Sequence, residues 1–351
     1  MGSGLSRQND YSVCSSLVMP LNQIQRSIKM VQILELFGGI GSPRCALRNI
    51  GIPVKSIDYV EINKKAVKSY NAIFKSELQY KTQSVVGWNL KPDILIHGSP
   101  CQQVSICGWI SPAGSPKGAV EGSGTESSLM WETIHIIQQM GSWKPKVVIW
   151  ENVKGVRYKG MKKNFQRYLD EMELLGYTNS HHCLDARDFG IPQARERIFT
   201  ISCLNEYRFN FDDLKRKPME PLSKFLESNV SDNYTVTQPS ILRAVGNKDG
   251  SAKRATIIKD YAYTITERQD RCPAQIIDCG NGKYRFLTEL ECWRLFGYSD
   301  EDYYAAERAN PKKKGAIVNR ALYKQAGNSI VVPIFEAIFE IIFSKYVIQE
   351  N

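Results

Sequence analysis

The sequence predicts an α/β fold in which a parallel sheet forms the core and a smaller unit is inserted late in the chain. Three observations lead to this prediction. Short apolar runs at 31–36, 94–96 and 147–150 are each closed by Gly, Pro or an acidic residue, as is typical of buried parallel strands. The first run leads through a glycine-rich turn into a helix start. From 205 to about 283 strongly apolar runs disappear and turns become frequent, which indicates a separate unit.

Composition restricts the class of protein and its partners. The chain has 351 residues, 42% hydrophobic and 23% charged, which suits one large domain and a smaller one. A net charge of +10 favours a polyanionic partner. The nine cysteines contain no C-x-x-C pair, so we expect a reducing compartment without structural zinc or a disulfide framework. No apolar run approaches the roughly 20 residues of a membrane span, and residues 1–30, which lack a signal-peptide core, are interpreted as an N-terminal extension.

The first strand, Val31–Leu36, is followed by a glycine-rich turn at 37–41. Ser42 suits a helix N-cap and Pro43 suits the first helical position. A strand, a glycine turn and a helix start allow backbone N–H groups to approach a ligand closely. Pro43 and Arg44 interrupt the third-glycine spacing expected for a dinucleotide pyrophosphate.

The second strand, Val54–Val60, ends at Glu61, twenty residues after Gly41, and a helix is expected at Lys64–Phe74. An acidic residue at this place can accept hydrogen bonds from ribose hydroxyls. A glycine turn or a strand-end carboxylate alone is more often structural. Together, at this distance, they favour a nucleoside-bearing cofactor that need not carry a pyrophosphate.

Cys101 lies on a loop just beyond the strand at 94–96. Pro100 fixes its own backbone and restricts Ser99, so the loop holds this thiol stiffly. Its thiolate could act as a nucleophile, although a buried, packing cysteine is equally consistent with the loop alone. The following Gly-, Ser- and Pro-rich stretch at 103–124 is interpreted as a mobile lid, and a helix is expected at 125–139.

Charged residues follow at the next strand ends. The strand at 147–153 carries Glu151, which we expect at the same sheet edge as the loop of Cys101. Arg195 and Arg197 are spaced to lie on one face of a strand and to turn toward that edge. A solvated carboxylate and a salt-bridged sheet edge are the structural alternatives. The stretch 143–168 contains eight Lys or Arg residues and one acid. Such a run is normally a solvated face, but one that flanks this edge could hold phosphates.

Six short blocks, taken in order, resemble the cytosine-C5 DNA methyltransferase family. The blocks are Phe-Gly-Gly-Ile-Gly at 37–41, Pro-Cys-Gln at 100–102, Glu-Asn-Val at 151–153, Gln-Ala-Arg-Glu-Arg at 193–197, Arg-Phe-Leu-Thr-Glu at 285–289 and Gly-Asn-Ser at 327–329. Each block alone is weak. Six in the family's order, with a variable segment between the fourth and fifth, are specific, and the resemblance covers about 31–342.

The resemblance implies a Rossmann-like, S-adenosylmethionine-dependent methyltransferase core with a small inserted target-recognition domain. Residues 31–204 and the returning part at 285–351 would form the core, and 205–284 the recognition domain. Within the returning part, Thr288 is expected to cap a helix that runs to Leu295, and the stretch 325–333 is expected to open a closing helix. The implied cofactor is S-adenosylmethionine, with S-adenosylhomocysteine as product and no metal.

The same resemblance implies the residues of the site. The implied cofactor-binding residues are Phe37, Gly38, Gly39, Ile40, Gly41, Glu61, Ile62, Ser84, Val85, Pro100, Asn328, Ser329 and Val331. Cys101 would attack C6 of cytosine, and Glu151 would contact N3 of the base. Arg197 and Arg195 would contact the base carbonyl or orient the carboxylate and loop. Ser84 and Val85 stand where the family usually has an acidic residue near the adenine, and Gln103 and Val104 also depart from its pattern.

The function implied is transfer of a methyl group to C5 of a cytosine flipped out of a specific double-stranded DNA sequence. An RNA cytosine-C5 methyltransferase and a catalytically silent homologue are the alternatives. A thiol hydrolase is disfavoured, because none of the four histidines adjoins a recognisable nucleophile motif. We expect a monomer without a membrane partner, in the cytoplasm of a prokaryotic or phage-infected cell. The target sequence stays open, as does a role in restriction-modification, phage counter-defence or regulation.

Overall fold

The computed structural model describes residues 31–75, 78–88, 90–99, 129–158, 161–245, 255–269 and 274–346. The predicted N-terminal extension at 1–30, Pro100, Cys101 and the predicted lid at 103–124 lie outside the described residues. The helix expected at 125–139 is described from residue 129 onward.

A six-stranded sheet forms the centre of the fold. The strands of this half of the chain are β1 (Val31–Leu36), β2 (Val54–Val60), β3 (Ile94–His97), β4 (Val147–Val153), β5 (Tyr177–Asp185), β6 (Gln193–Ala194) and β7 (Glu196–Leu204). All except β6 belong to the main sheet, in the order β2-β1-β3-β4-β7-β5. The predicted strands and their order along the chain are therefore present.

The sheet is mixed rather than wholly parallel. Strands β2, β1, β3 and β4 are parallel, but β7 runs antiparallel to both β4 and β5. The short connection from β5 to β7 has no crossover helix, so the chain returns in the opposite direction. The start of β7 therefore meets the end of β4, with Arg197 paired to Val153.

Helices cover both faces of the sheet. They are α1 (Ser42–Asn49), α2 (Lys64–Phe74), α3 (Met130–Gln139), α4 (Lys162–Leu174), α5 (Pro239–Val245), α6 (Glu289–Arg294), α7 (Asp300–Ala309), α8 (Arg320–Gly327) and α9 (Val332–Ile341). Ile33 and Ile149 pack with α1 and α9 on one face, whereas Leu34 and Val148 pack with α3 and α4 on the other. This is the two-residue alternation of strands that are buried on both faces.

A smaller unit has its own sheet and core. Strands β8 (Ala255–Ile257), β10 (Ala274–Asp278) and β11 (Tyr284–Phe286) form one sheet, and β9 (Ala262–Tyr263) pairs with β6. The expected domain boundary at 284 falls inside β11. Phe209 and Phe211, just after the expected boundary at 204, pack into the main core instead. Among the described residues, the core of the small unit consists of Val236, Ile241, Ala274, Ile276 and Phe286. The intervening residues Ile258, Ala262 and Ile265 pack into the main core.

The start of α1 differs from the expectation. Gly41, with a φ of 83°, is the N-cap, and Ser42 is already helical. The predicted N-cap role of Ser42 is therefore wrong. Its Oγ instead lies 2.7 Å from the Tyr298 hydroxyl and 2.9 Å from Ser329 Oγ. These buried contacts fasten α1 to the C-terminal part of the chain.

The C-terminal helices close the core. Thr288 caps α6 as predicted, in a capping box with Glu291. The stretch Arg320–Lys345, which holds α8 and α9, is long and apolar enough to cross a membrane by composition, contrary to the expectation that no stretch would be. Because 67% of its most apolar window is buried inside the protein, packing against the core accounts for this composition.

Candidate active site

Four parallel strands end side by side at one edge of the sheet. Leu36 pairs with Val60 and with His97, and His97 pairs with Trp150. The next residue along each of these strands is Phe37, Glu61, Gly98 or Glu151. The predicted glycine turn, the predicted ribose contact and the predicted catalytic acid therefore start at one level of the sheet.

The glycine turn is held by contacts with β2. The Gly39 N–H donates a hydrogen bond of 3.0 Å to Glu61 Oε2, and the Tyr59 hydroxyl donates one of 2.6 Å to the Gly39 carbonyl. Gly39 and Gly41 have φ values of 56° and 83°, in the left-handed region that favours glycine. A Cβ on Gly41 would lie 2.6 Å from the Tyr70 ring, whereas a Cβ on Gly39 would meet nothing within 4 Å. The turn thus has one side packed and one side open.

The open side faces a cleft of about 420 Å³, part of which is open to solvent. The cleft is lined by Glu35, Leu36, Phe37, Gly38, Gly39, Ile40, Ser42, Pro43, Ile96, Gly98, Glu151, Asn328, Ser329 and Ile330. Residues from the start, the middle and the end of the chain therefore line one cleft.

Glu35 is a residue of this cleft that the sequence analysis missed. Its side chain is 1% exposed, and neither carboxylate oxygen has a partner within hydrogen-bond distance among the described residues, although the Tyr70 hydroxyl and the Arg44 backbone N–H lie near it. Burial raises the pKa of Glu35 to about 8, although the nearby Arg44 guanidinium opposes the shift. The feature of the sequence that could have revealed Glu35 is the presence of an acidic residue inside the apolar run of β1. A buried, unpaired carboxyl group in a cleft is a candidate ligand-binding group.

Glu151, which lines the cleft, forms an ion pair with Arg197. Arg197 Nε lies 3.2 Å from Glu151 Oε1, and both side chains are largely buried. Burial raises the pKa of the Glu151 carboxyl above its usual range, and the Arg197 and Arg195 guanidiniums oppose this shift. Glu151 pairs with Phe199 of β7. Arg197 lies two residues before Phe199 and therefore on the same face of the sheet as Glu151.

The chain leading to Cys101 is fixed up to Ser99. Ser99 Oγ accepts hydrogen bonds from Trp150 Nε1 at 3.0 Å and from Asn152 Nδ2 at 3.4 Å. A Cβ on Gly98 would lie 3.8 Å from Glu151 Oε2, so the loop starts beside this acid. Cys101 follows two residues after Ser99 and lies outside the described residues.

His97 does not serve this loop as a base. It is fully buried on β3, with Nε2 2.9 Å from the Tyr168 hydroxyl and its ring stacked on Trp150. Burial lowers the pKa of His97 to about 3, so the imidazole is neutral at physiological pH. This placement removes the histidine nearest in sequence to Cys101 from any Cys–His pair and weighs against a thiol hydrolase.

Arg195 has a different place from Arg197. It precedes β7 and is 4% exposed. Its Nη2 donates to the carbonyls of Gly327 and Ser329 at 3.1 and 2.9 Å, and its Nη1 donates to Ile265 at 3.2 Å. The expected alternation of two arginines along one strand is therefore not observed. Arg195 thus connects the segment at 327–329 to Ile265, which lies within the predicted recognition domain.

A family model described as C-5 cytosine-specific DNA methylase matches residues 31–344 of this chain. The chain belongs to the C-5 cytosine-specific DNA methylase family. The type II methyltransferase M2.ScrFI of Lactococcus lactis subsp. cremoris is 31% identical over 378 residues, covering 90% of this chain and 100% of that protein. The orphan methyltransferase M.SPBetaI of Bacillus phage SPbeta is 26% identical, covering 92% and 99%. The protein is thus a cytosine-C5 DNA methyltransferase, as the sequence predicted.

Solved structures share the fold of this methylase. The Dnmt2 methyltransferase of S. pombe superposes with a TM-score of 0.68 at 18% identity, covering 90% of this chain and 98% of that chain. The Entamoeba histolytica methyltransferase EhMeth gives a TM-score of 0.67 at 19% identity, covering 90% and 98%. These likenesses agree with the α/β methyltransferase fold that the sequence predicted.

The methylase brings together many, but not all, of the residues predicted for its site. Those that line the cleft are Phe37, Gly38, Gly39, Ile40, Glu151, Asn328 and Ser329. Gly41 and Glu61 support the turn from outside the lining. Val331 is 1% exposed and caps α9 within the core. Pro100 and Cys101 lie outside the described residues.

The residues predicted near the adenine do not line the cleft. Ile62, next to Glu61, is 75% exposed. Ser84 accepts a hydrogen bond from the Val86 N–H within a turn, and Val85 is buried in the core. Neither Ser84 nor Val85 lines the cleft. The departure from the family's pattern at these two positions thus coincides with a structural turn.

Proposed function

We propose that this methylase modifies C5 of a cytosine flipped out of a specific double-stranded DNA sequence, using S-adenosylmethionine and a covalent bond to Cys101. The observation that supports this proposal most directly is that Glu151, ion-paired with Arg197, lines the same cleft as the glycine turn and Asn328. A cofactor site and an acid for base chemistry are therefore contiguous.

The cleft fits S-adenosylmethionine by the groups that line it. The open side of Gly39 allows a ligand to approach the backbone closely, and Glu35 offers an unpaired carboxyl to a cation. The methionine part of the cofactor carries an ammonium group and a sulfonium, and these positive charges would favour the ionised form of Glu35 when the cofactor is bound. When bound, S-adenosylmethionine supplies the methyl group and leaves as S-adenosylhomocysteine.

The nucleoside part of the cofactor would lie toward Glu61. This carboxylate accepts backbone N–H bonds at 3.0 Å from Gly39 and 2.7 Å from Asn63. A carboxylate has about four lone-pair sites, so acceptor capacity remains for ribose hydroxyls. Exposed Ile62 offers an apolar surface to the adenine. Ser84, Val85, Gly41, Pro100, Ser329 and Val331 remain predicted members of the site.

Cys101 would act as the nucleophile. Its thiolate forms a bond to C6, which saturates the 5,6 double bond and makes C5 electron-rich. After C5 has received the methyl group, loss of the C5 proton re-forms the double bond and expels the Cys101 sulfur as thiolate. The product is 5-methylcytosine, and the enzyme is regenerated.

Glu151 would stabilise the charge that develops on the ring. A carboxyl with a raised pKa can share or donate a proton to N3 as C6 is attacked. Arg197, 3.2 Å from the carboxylate, would orient it and reach toward the base carbonyl. Arg195 would act less directly, by holding the backbone of the cofactor wall.

Double-stranded DNA is the partner that we propose, with the unit between residues 205 and 284 reading the sequence. C5 and C6 cannot be reached inside a duplex, so the base must be flipped out. The net charge of +10 and the basic stretch at 143–168 suit contacts with phosphates. The type II and phage orphan relatives support a bacterial or phage-infected cytoplasm. We further propose a monomer without a membrane partner.

A matched pair of variants tests the chemistry. Cys101→Ser should abolish methylation and leave the affinity for S-adenosylhomocysteine within about twofold, because the cleft keeps its lining. Glu151→Gln should lower kcat about 10²- to 10⁴-fold, since the proton donor is lost. Single-turnover methylation and calorimetric titration would measure the two effects. Substantial activity of Cys101→Ser would contradict the covalent mechanism.

A further inference from the structure

Glu267, near the end of the predicted recognition domain, contacts the wall of the cleft from outside. Its Oε1 accepts a hydrogen bond of 2.9 Å from Asn328 Nδ2 and lies 3.6 Å from Lys324 Nζ. Asn328 lines the cleft. Because Glu267 engages the NH2 end of this amide, the carbonyl end is left to accept hydrogen bonds from a ligand in the cleft.

The backbone around Glu267 is packed directly on the backbone beside Asn328. A Cβ on Gly327 would lie 2.4 Å from the carbonyl carbon of Thr266 and 2.5 Å from the Glu267 nitrogen. Only glycine allows this approach. Arg195 bonds the carbonyls of Ile265, Gly327 and Ser329 and so fixes both segments relative to each other. The backbones that carry Glu267 and Asn328 are therefore held at a fixed separation.

Local bonds hold the Glu267 segment against the catalytic core as well. Thr264 Oγ1 donates to the Ala194 carbonyl at 2.8 Å, and the Ile265 N–H donates to Gln193 Oε1 at 3.1 Å. The block at 193–197 thus carries both the base-side arginine and the anchor of the segment. A displacement of this segment would move Glu267 away from Asn328.

We infer that Glu267 is a positioning residue of the cofactor site: it fixes the Asn328 amide, so that cofactor affinity depends on a residue delivered by the recognition domain. The inference rests on the proposed use of the cleft for S-adenosylmethionine. Glu267 does not line the cleft and acts through Asn328.

The expected effect is on cofactor binding and not on the chemical step. Glu267→Ala removes the acceptor and should raise the Kd for S-adenosylhomocysteine about five- to tenfold, the effect of one hydrogen bond. Glu267→Gln keeps an acceptor oxygen and should stay within about twofold of the wild-type value. KM for S-adenosylmethionine should rise in Glu267→Ala while kcat changes by less than about twofold.

A double-mutant cycle on the full-length protein tests this route. Calorimetry would give the Kd for S-adenosylhomocysteine of wild type, Glu267→Ala, Asn328→Ala and the double variant, with Glu301→Ala as an exposed acidic control on α7. If Glu267 acts through Asn328, its substitution has no further effect in the Asn328→Ala background. Equal weakening in both backgrounds would overturn the inference.

Two other outcomes separate this inference from the proposed function. Tight binding by wild type and equally tight binding by Glu267→Ala would overturn the positioning role and leave the cofactor assignment standing. A wild-type protein that binds neither S-adenosylhomocysteine nor S-adenosylmethionine would overturn both. If Glu267→Gln bound S-adenosylhomocysteine as weakly as Glu267→Ala, the loss of affinity would come from the missing charge beside Lys324. This result would contradict the role of the hydrogen bond.

Discussion

At the scale of single residues, two buried carboxyl groups in different surroundings define the cleft. Glu151 has Arg197 at 3.2 Å, whereas Glu35 has no hydrogen-bond partner among the described residues. Burial raises the pKa of both groups, that of Glu35 to about 8. The paired acid suits chemistry on the base, and the unpaired acid suits a cationic ligand.

The pKa of Glu35 predicts how stability depends on pH. In the unfolded chain this group ionises near 4.5, and in the folded protein near 8. Between these values unfolding releases a proton, so the free energy of unfolding of the ligand-free protein should fall as pH rises, by up to about 1.4 kcal/mol per pH unit. Urea unfolding at pH 5.5, 6.5 and 7.5 would measure this slope.

Glu35→Gln provides the control for that slope. The variant keeps the size of the side chain and removes its titration, so its unfolding free energy should change less across the same window. In wild type the affinity for S-adenosylhomocysteine should also rise from pH 6 to 8, as Glu35 ionises beside the ligand's ammonium group. Identical pH profiles of the two proteins would contradict the buried, unpaired state of Glu35.

At the scale of elements, the glycine turn between β1 and α1 has two faces with different tasks. Gly39 faces open space in the cleft, and Gly41 faces the rings of Tyr70 and Phe74. Both have left-handed backbones, so alanine carries a similar conformational cost at either place. The difference between the two alanine variants therefore reports the space around each Cβ.

This difference gives a matched prediction. Gly41→Ala should destabilise the fold by about 1–3 kcal/mol beyond the cost at Gly39, because its Cβ would lie 2.6 Å from two rings. Gly39→Ala should be the more stable protein but should bind S-adenosylhomocysteine at least about tenfold more weakly, since its methyl group occupies the cleft. Thermal unfolding and titration would rank the variants, and the reverse order would contradict the assignment of the faces.

Most helices and strands could be predicted from the sequence because the patterns that indicate them are local. The apolar runs and turn residues predicted β1, β2 and β4, and Thr288 marked the capping box of α6. The Ser42 hydroxyl was misassigned because its partner Ser329 is 287 positions away. The antiparallel course of β7 was likewise missed, since the pattern of apolar residues does not encode strand direction.

At the scale of the whole molecule, three distant parts of the chain build one site. The glycine turn comes from the start, Glu151 from the middle, and Asn328 from the end, with Glu267 joining the small unit to this wall. The family blocks predicted which residues would assemble. The sequence did not predict Glu35 or Glu267, because their roles depend on burial and on packing between segments.

The proposed roles of Cys101, Glu151 and the cleft all depend on methylation of cytosine C5 in DNA. To test this activity, the full-length protein is incubated with S-adenosylmethionine and unmethylated duplex DNA or, separately, RNA, and the nucleic acid is digested to nucleosides for mass spectrometry. We expect 5-methyldeoxycytidine in the DNA with the wild-type protein and none with Cys101→Ser. Methylated cytidine in RNA alone, or no product from a protein that binds S-adenosylhomocysteine, would show that the proposed function is wrong.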